Sequence, residues 1–398
     1  MTSPLSILQP TLPHARVPDT APLAPWGESV RRILCVRPDN LGDVLMTTPA
    51  LHALRHAAPG RRLTLLASGS GAALAPFLED VDEVIRYDAP WVAQPAGAMR
   101  TGQDDQRMIT ALRERRFDAA VIFTVYSQSP LPAAMLCRLA GIARRLAHCR
   151  ENPYGLLTDW VRESEPQQHT RHEVARQLDL VRQTGALTAD TRMRFRLARH
   201  DRLALDATLA ARGVAHPAGC IVLHPGATAA SRRYPAERFG EVAARLARET
   251  DVPLLVTGGA SEGPLAAAVI EAAGPAARAR LHDLSGALTL GELGALLERA
   301  GLLVSNNSGP VHLASALGTP VVDLYALTNP QHAPWQTPHR VLFRDVECRW
   351  CHRGVCPQQH HACLLGVTAD EVVAAALELH APAAARRLQP DAGPAVAP

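Results

Sequence analysis

The stretch ILCVRPDNLGDVLMTTPALHAL, residues 33–54, decides the fold. Ile33 to Val36 form a short apolar run, the chain turns through polar residues and Gly42, and a helix follows at once. A buried strand that empties through a turn into a helix is half of a βαβ unit. Asp43 stands near the start of that helix, where the dipole favours an acid whatever the function.

The pattern repeats outward from this unit. Leu63 to Ala67 and Ala119 to Phe123 continue it, then Ile221 to Leu223, Leu254 to Val256, Leu302 to Val304 and Val321 to Leu324. Strands alternating with helices over this length imply parallel, doubly wound α/β sheets, with ligands at the carboxyl ends of the strands. The helix after Pro235 carries Phe239, Val242, Ala243 and Leu246 on one stripe, with Pro235 suited to its first turn. A chain of 398 residues, 47% hydrophobic and 20% charged, can bury two ordinary cores.

The expected division is a Pro-rich flexible tail over 1–30, a first domain over 31–185 and an Arg-rich linker over 186–218. A second domain follows over 219–367, then a capped helix over 368–380 with Asp370 and Glu371 in its first turn, and a disordered tail over 381–398. The amino terminus lacks the pattern of an export signal and no apolar run approaches eighteen residues, so a cytoplasmic location is expected. The eight cysteines then read as thiols or metal ligands.

A net charge of +3 with 4% aromatic residues argues against a nucleic-acid partner. All 41 basic residues are Arg, so a basic side chain that meets a phosphate must present a guanidinium fork.

Two turns could receive that phosphate. CIVLHPGATAASRRYPAERF leaves a strand at Leu223 and passes Gly226, Thr228, Ser231, Arg232 and Arg233 before the next helix. LLVSNNSGPVHLASALGTPVVDLY runs from a strand through Asn306 to Gly309 into a helix with Ser308 at its N-cap position. Backbone N–H groups converging at such turns bind anions, although Gly turns join strands to helices in any α/β protein. Neither turn is a P-loop or a dinucleotide fingerprint, which disfavours a P-loop hydrolase or a simple dehydrogenase.

Cys348, Cys351, Cys356 and Cys363 are spaced C-x2-C-x4-C-x6-C, with His352, His360 and His361 interleaved. The spacing leaves a structural zinc, reduced packing thiols and a redox-formed disulfide all open.

Together RPDNLGDVLMTTPALHALRHAAPG, HPGATAASRRYPAERF, VTGGASE, SNNSGPVHLASALGTPVVDLY and CRWCHRGVCPQQHHACL form an ordered set. From about Arg32 to His380 the chain resembles the ADP-heptose:lipopolysaccharide heptosyltransferases of glycosyltransferase family nine. The resemblance implies a GT-B fold, two Rossmann-like domains facing a central cleft, the first serving the acceptor and the second the nucleotide sugar. It also implies transfer of heptose from ADP-heptose to a lipid-linked lipopolysaccharide core, with inversion and without a catalytic metal.

By the same resemblance Asp43 is the general base, with Arg37, Asn40 and Gly42 on the acceptor side. Arg232 stabilises departing ADP, and Gly226, Thr228, Glu262, Asn307, Ser308, Gly309 and His312 serve the donor, while His172 reads as structural. Asn307 departs from the family, which often has Asp there, so another nucleotide sugar or acceptor stays open, as does a non-catalytic nucleotide-sugar binding protein. Arg113, Arg115, Arg116, Arg144, Arg145 and Arg150 are candidates for anionic acceptor phosphates at the inner face of the inner membrane, and solvated helix faces explain them equally well.

Overall fold

A computed structural model describes residues 24–92, 101–215 and 217–387, with side chains to residue 380. They form two compact units that meet in sequence between Arg196 and Leu197.

The N-terminal unit contains β1 (Arg32–Arg37), α1 (Leu41–His56), β2 (Arg62–Ala67), α2 (Gly69–Ala72), β3 (Glu83–Arg86), α3 (Gly102–Glu114), β4 (Ala119–Ile122), α4 (Leu131–Leu139), β5 (Arg144–Cys149), β6 (Asp159–Arg162) and α5 (Glu173–Arg182). Its six strands are parallel in the order β3-β2-β1-β4-β5-β6.

The C-terminal unit contains α6 (Arg199–Ala211), β7 (Ile221–His224), α7 (Ala236–Glu249), β8 (Leu254–Val256), α8 (Gly263–Ala273), β9 (Leu281–Asp283), α9 (Leu290–Arg299), β10 (Leu302–Asn306), α10 (Gly309–Leu317), β11 (Val321–Leu324), β12 (His339–Leu342), α11 (Ala362–Leu365) and α12 (Ala369–Arg387). The strands are again parallel, ordered β12-β11-β10-β7-β8-β9.

Numbered within its own unit, each sheet has the Rossmann order, and the order reverses between β1 and β4 in one and between β7 and β10 in the other. Crevices for ligands open at the carboxyl ends of strands at such reversals.

Central strands are buried on both faces because helices cover each side, which is why β1, β7 and β10 read as continuous apolar runs. Helix α1 is buried almost all round. Its Pro49 cannot donate to the carbonyl of Leu45, and the Thr48 hydroxyl takes that acceptor at 2.6 Å. In α7 the stripe of Phe239, Val242, Ala243 and Leu246 is fully buried as expected. Gly240 lets α8 approach, since a Cβ there would press on Ala272 and on the Val269 carbonyl at 2.8 Å.

Two expected boundaries differ in the structure. Residues 24–30 are not tail, because Trp26 and Val30 are buried and the Trp26 N–H donates to Thr184 O at 2.9 Å. Buried Arg61 fastens this segment by donating to the carbonyls of Trp26 (2.9 Å), Val30 (3.2 Å) and Leu54 (3.2 Å).

The two units divide inside the linker expected over 186–218, and its residues pack on either side of that point. Phe195 stacks on Phe77 at 4.3 Å within the N-terminal unit, whereas α6 packs on α9 through Arg202–Glu298 (2.6 Å) and Thr208–Glu292 (2.6 Å). The helix expected to end at residue 380 continues to Arg387. The tail expected over 1–23 and the stretch 388–398 lie outside the described residues. No helix among the described residues is long and apolar enough to cross a membrane.

Candidate active site

At the reversal in the N-terminal sheet, β1 delivers Arg37, whose side chain is completely buried. Its guanidinium meets Glu173 Oε1 at 2.8 Å, Asp39 Oδ2 at 3.2 Å and Asp43 Oδ1 at 3.3 Å. Burial works against the Arg37 charge, but Asp39, Glu173 and Asp43 more than compensate and raise its pKa above the ordinary value. Asp39 is pushed up, first by burial and also by Asp43, although Arg37 and the Gln128 amide (2.7 Å) oppose the shift.

The second oxygen of Asp43 accepts the Asn40 N–H at 3.1 Å, the usual role of an acid three residues into a helix. The three acids of the cluster differ in exposure. The Asp43 side chain is 14% exposed, against 7% for Asp39 and 0% for Glu173. Asp43 is thus the member of this cluster that solvent reaches, held by two donors. Gly42 is buried in the same first turn of α1, and Asn40 is its N-cap residue.

Glu173, missed in the sequence, belongs to the first turn of α5. Gln177 from the next turn donates to Glu173 Oε1 (2.5 Å) and to Thr124 O at the end of β4 (3.0 Å), while Arg176 bonds Thr124 O and pairs with Glu163 at 2.5 Å. An acid opening a helix looks like ordinary dipole chemistry in sequence. Only its burial against Arg37 reveals the pairing. His172 caps α5, its Nδ1 accepting the Val174 N–H at 3.1 Å, which fits the structural reading.

At the reversal in the C-terminal sheet, Asn306 staples the end of β10 to the loop after β7, accepting from Tyr234 N (2.9 Å) and donating to Pro225 O (2.7 Å). At Gly226 the Glu262 carboxyl group fills the space that a Cβ would take, so any larger residue there displaces that carboxyl group. Glu262 itself accepts the Gly259 N–H at 2.8 Å. Behind them His224, bonded to Thr257 at 3.0 Å, is lowered to a pKa of about 4 by burial, with Glu262 countering part of the shift.

Ser308 sits at the N-cap of α10 but makes no side-chain cap. Its hydroxyl donates back to Asn306 O at 3.1 Å, so the expected cap is absent, and Gly309 opens the helix. The Asn307 amide donates to Asp323 (2.9 Å) and to His332 O (2.8 Å), so both hydrogens are spent inside the protein. Asp323 is fully buried and its pKa is raised well above normal by burial, with Asn307 opposing. His312 is buried, edge-on to His332 at 6.1 Å. Thr228 is exposed.

The guanidinium Nε of Arg232 is buried without a hydrogen-bond partner, and no ion pair engages Arg232 among the described residues. Beside it His352 is held below its usual pKa, first by burial and then by the Arg232 charge. An uncommitted guanidinium suits an anionic ligand.

The four cysteines of 348–363 line one cavity of about 20 Å³ together with Ser231, His360 and His361, and Cys348 Sγ lies 3.8 Å from His360 Nε2. Ser231 bonds the same loop through Arg353 O (2.7 Å) and Gly354 O (3.1 Å), which braces the turn that carries Arg232. No three of these ligand atoms lie within 4.8 Å of one another among the described residues, while all four thiols and two imidazoles face the same cavity. Arg145 is buried and donates to the carbonyls of Leu156 (2.6 Å), Ala143 (3.0 Å) and Gly155 (3.1 Å), so its guanidinium is engaged within the protein. Arg115 pairs with Glu83 at 2.7 Å, and Arg150 donates to the carbonyls of Tyr126 (3.1 Å) and Glu165 (2.6 Å).

Comparison with known proteins agrees with this layout. Residues 106–362 match the family model described as Glycosyltransferase family 9 (heptosyltransferase), a match that begins after the Arg37–Asp43 segment. Lipopolysaccharide heptosyltransferase 2 of Salmonella typhimurium is 23% identical over 88% of this chain and 97% of its own length. Lipooligosaccharide heptosyltransferase 2 of Campylobacter jejuni is 26% identical over 39% of this chain, and the chain spans only 50% of that relative. The solved structure of Escherichia coli ADP-heptose lps heptosyltransferase II superposes with a TM-score of 0.68 at 21% identity, covering 88% of this chain and 98% of that one.

Two Rossmann sheets of this order, sharing the fold of that structure, give an α/β fold of the GT-B type. The family match covers most of the chain, including the Arg232 and Ser308 turns. The protein belongs to glycosyltransferase family 9, the heptosyltransferase family.

Proposed function

We propose that this protein is an inverting, metal-independent heptosyltransferase that moves a heptose from ADP-heptose to a lipid-linked lipopolysaccharide core. The observation that carries the reading is the Arg37 cluster, in which one carboxylate, Asp43, is fixed by two donors and reached by solvent while its two companions are buried. A sugar hydroxyl is a poor nucleophile, and a carboxylate that accepts its proton as the new bond forms contributes about 10²–10⁴-fold. Arg37, Asn40 and Gly42 shape this acceptor side.

The leaving group is ADP, whose diphosphate gains charge as the glycosidic bond breaks. In this reading Arg232 and the first N–H groups of α10 near Ser308 and Gly309 stabilise that charge, with Thr228, Gly226, Glu262 and His312 on the nucleotide sugar. The names of the Salmonella and Escherichia coli proteins support the donor and acceptor classes. Work on such an acceptor places the protein in the cytoplasm, peripheral to the inner face of the inner membrane.

A screen of nucleotide sugars against a heptose-deficient core acceptor, read by mass spectrometry, tests the reading. Addition of one heptose from ADP-heptose is expected, and Asp43→Asn abolishes it while ADP binding persists. Unchanged turnover in Asp43→Asn refutes the base assignment. A second reading, another donor sugar or a non-lipopolysaccharide acceptor, is favoured by Asn307, whose amide hydrogens are committed to Asp323 and His332. Product from a different nucleotide sugar alone would select it, and nucleotide binding without turnover of any donor would select a non-catalytic binding protein.

A further inference from the structure

We propose that His52, His56 and Asp80 form a binding site for a late first-row divalent cation of the Zn²⁺ class. The two histidines lie one turn apart on α1, so their rings share a face and come within 4.3 Å. His52 Nδ1 lies 3.0 Å from Asp80 Oδ2 and His56 Nε2 lies 3.0 Å from Asp80 Oδ1. One donor atom from each residue falls within 4.8 Å of the other two.

Bonds of ~2.0–2.1 Å in tetrahedral geometry put donor atoms roughly 3.3 Å apart, so a cation needs shifts of only tenths of an ångström at Asp80. Two imidazoles and a carboxylate are the ligand set of open three-ligand zinc sites, and histidines four apart on a helix are their usual spacing. Asp80 is buried, which fixes the carboxylate, whereas the His56 side chain is 61% exposed and leaves the fourth position to water.

Arg194 approaches Asp80 Oδ2 at 3.8 Å, but Glu79 (3.3 Å) and Asp190 (2.9 Å) already offset its charge. The cluster stands roughly 14–20 Å along α1 from Asp43, at ~1.5 Å per residue, so it is separate from the transfer site. A bound ion would tie the last turn of α1 to the loop that precedes β3. The inference does not depend on the transfer reaction.

Calorimetric titration of the full chain with Zn²⁺, purified without a histidine tag, tests it against His56→Gln. That side chain is exposed, and metal-free thermal unfolding of the variant checks that the fold is intact. The wild type should bind an equivalent that His56→Gln weakens at least about tenfold and that Asp80→Asn also loses. With Co²⁺, that equivalent should give weak ligand-field absorption without thiolate charge transfer, which separates it from the cysteine loop. Equal binding by the wild type and His56→Gln, or no binding by either, overturns the site.

Discussion

Replacing Glu173 by Gln removes the closest of the three acidic partners of Arg37, at 2.8 Å, and the one with no solvent exposure. Gln keeps the volume and one acceptor oxygen, so Gln177 and Arg37 retain a partner and the change is one of charge. Breaking a buried pair on one side costs about 3–5 kcal/mol, because the remaining ion is left under-compensated in a low dielectric. Arg37 keeps Asp39 and Asp43, at 3.2 and 3.3 Å, so the lower end of that range is expected.

At roughly 2–4 °C per kcal/mol for a unit of this size, about 3 kcal/mol lowers the N-terminal unit's Tm by about 6–12 °C. The C-terminal unit contains none of these residues, so a transition belonging to it should not move. Loosening Arg37 also loosens Asp43, and a misplacement near 1 Å costs about 10²-fold in kcat/KM. Calorimetry with steady-state kinetics below the shifted Tm separates the two effects. A fall of under about 2 °C with kcat/KM intact would mean that Glu173 does not hold the cluster together.

Arg232→Met should lower turnover by about 10²–10³-fold and weaken ADP binding, with little change in Tm, because the guanidinium has no ion pair to lose among the described residues. A large Tm loss would show that it is structural. Gly226→Ala should fold, since the atoms it meets are the end of the Glu262 side chain, but displacing that carboxyl group should weaken donor affinity in a binding titration. His224 has a folded pKa of about 4 against an ordinary 6.5, so the unfolded chain binds its proton first. Stability is therefore complete above pH ~6.5 and is lost progressively as the pH falls to ~4, by about 3 kcal/mol at most. His224→Gln should flatten that limb of the C-terminal unit's pH–stability curve.

Sequence alone determined the strands that are buried on both faces. Ile33–Val36, Leu63–Ala67 and Ile221–Leu223 are apolar except for Thr64 because helices cover both sides of a parallel sheet, so they are legible as runs. Thr368 and Glu371 likewise marked the start of α12 from local hydrogen bonding, here 2.8 Å from the Thr368 N–H to the carboxylate. The missed strands were β3, β5, β6, β9 and β12. Glu83–Arg86 and Asp159–Arg162 mix charged and apolar residues, and His339–Leu342 closes its sheet on an edge, so their assignment comes from the neighbour each pairs with.

The turns at Asp43, Gly226, Arg232 and Ser308 were visible because a strand end, a glycine and a helix start lie within a few residues. What those side chains do was not visible. Arg37 meets Glu173 from 136 residues away, Asn306 bridges to Pro225 from 81 residues away, and Asn307 spends its amide on Asp323 and His332. Local sequence carries backbone propensity and periodic burial. Which carboxylate is buried and which meets water depends on long-range pairing in a low dielectric, and only the folded chain decides that.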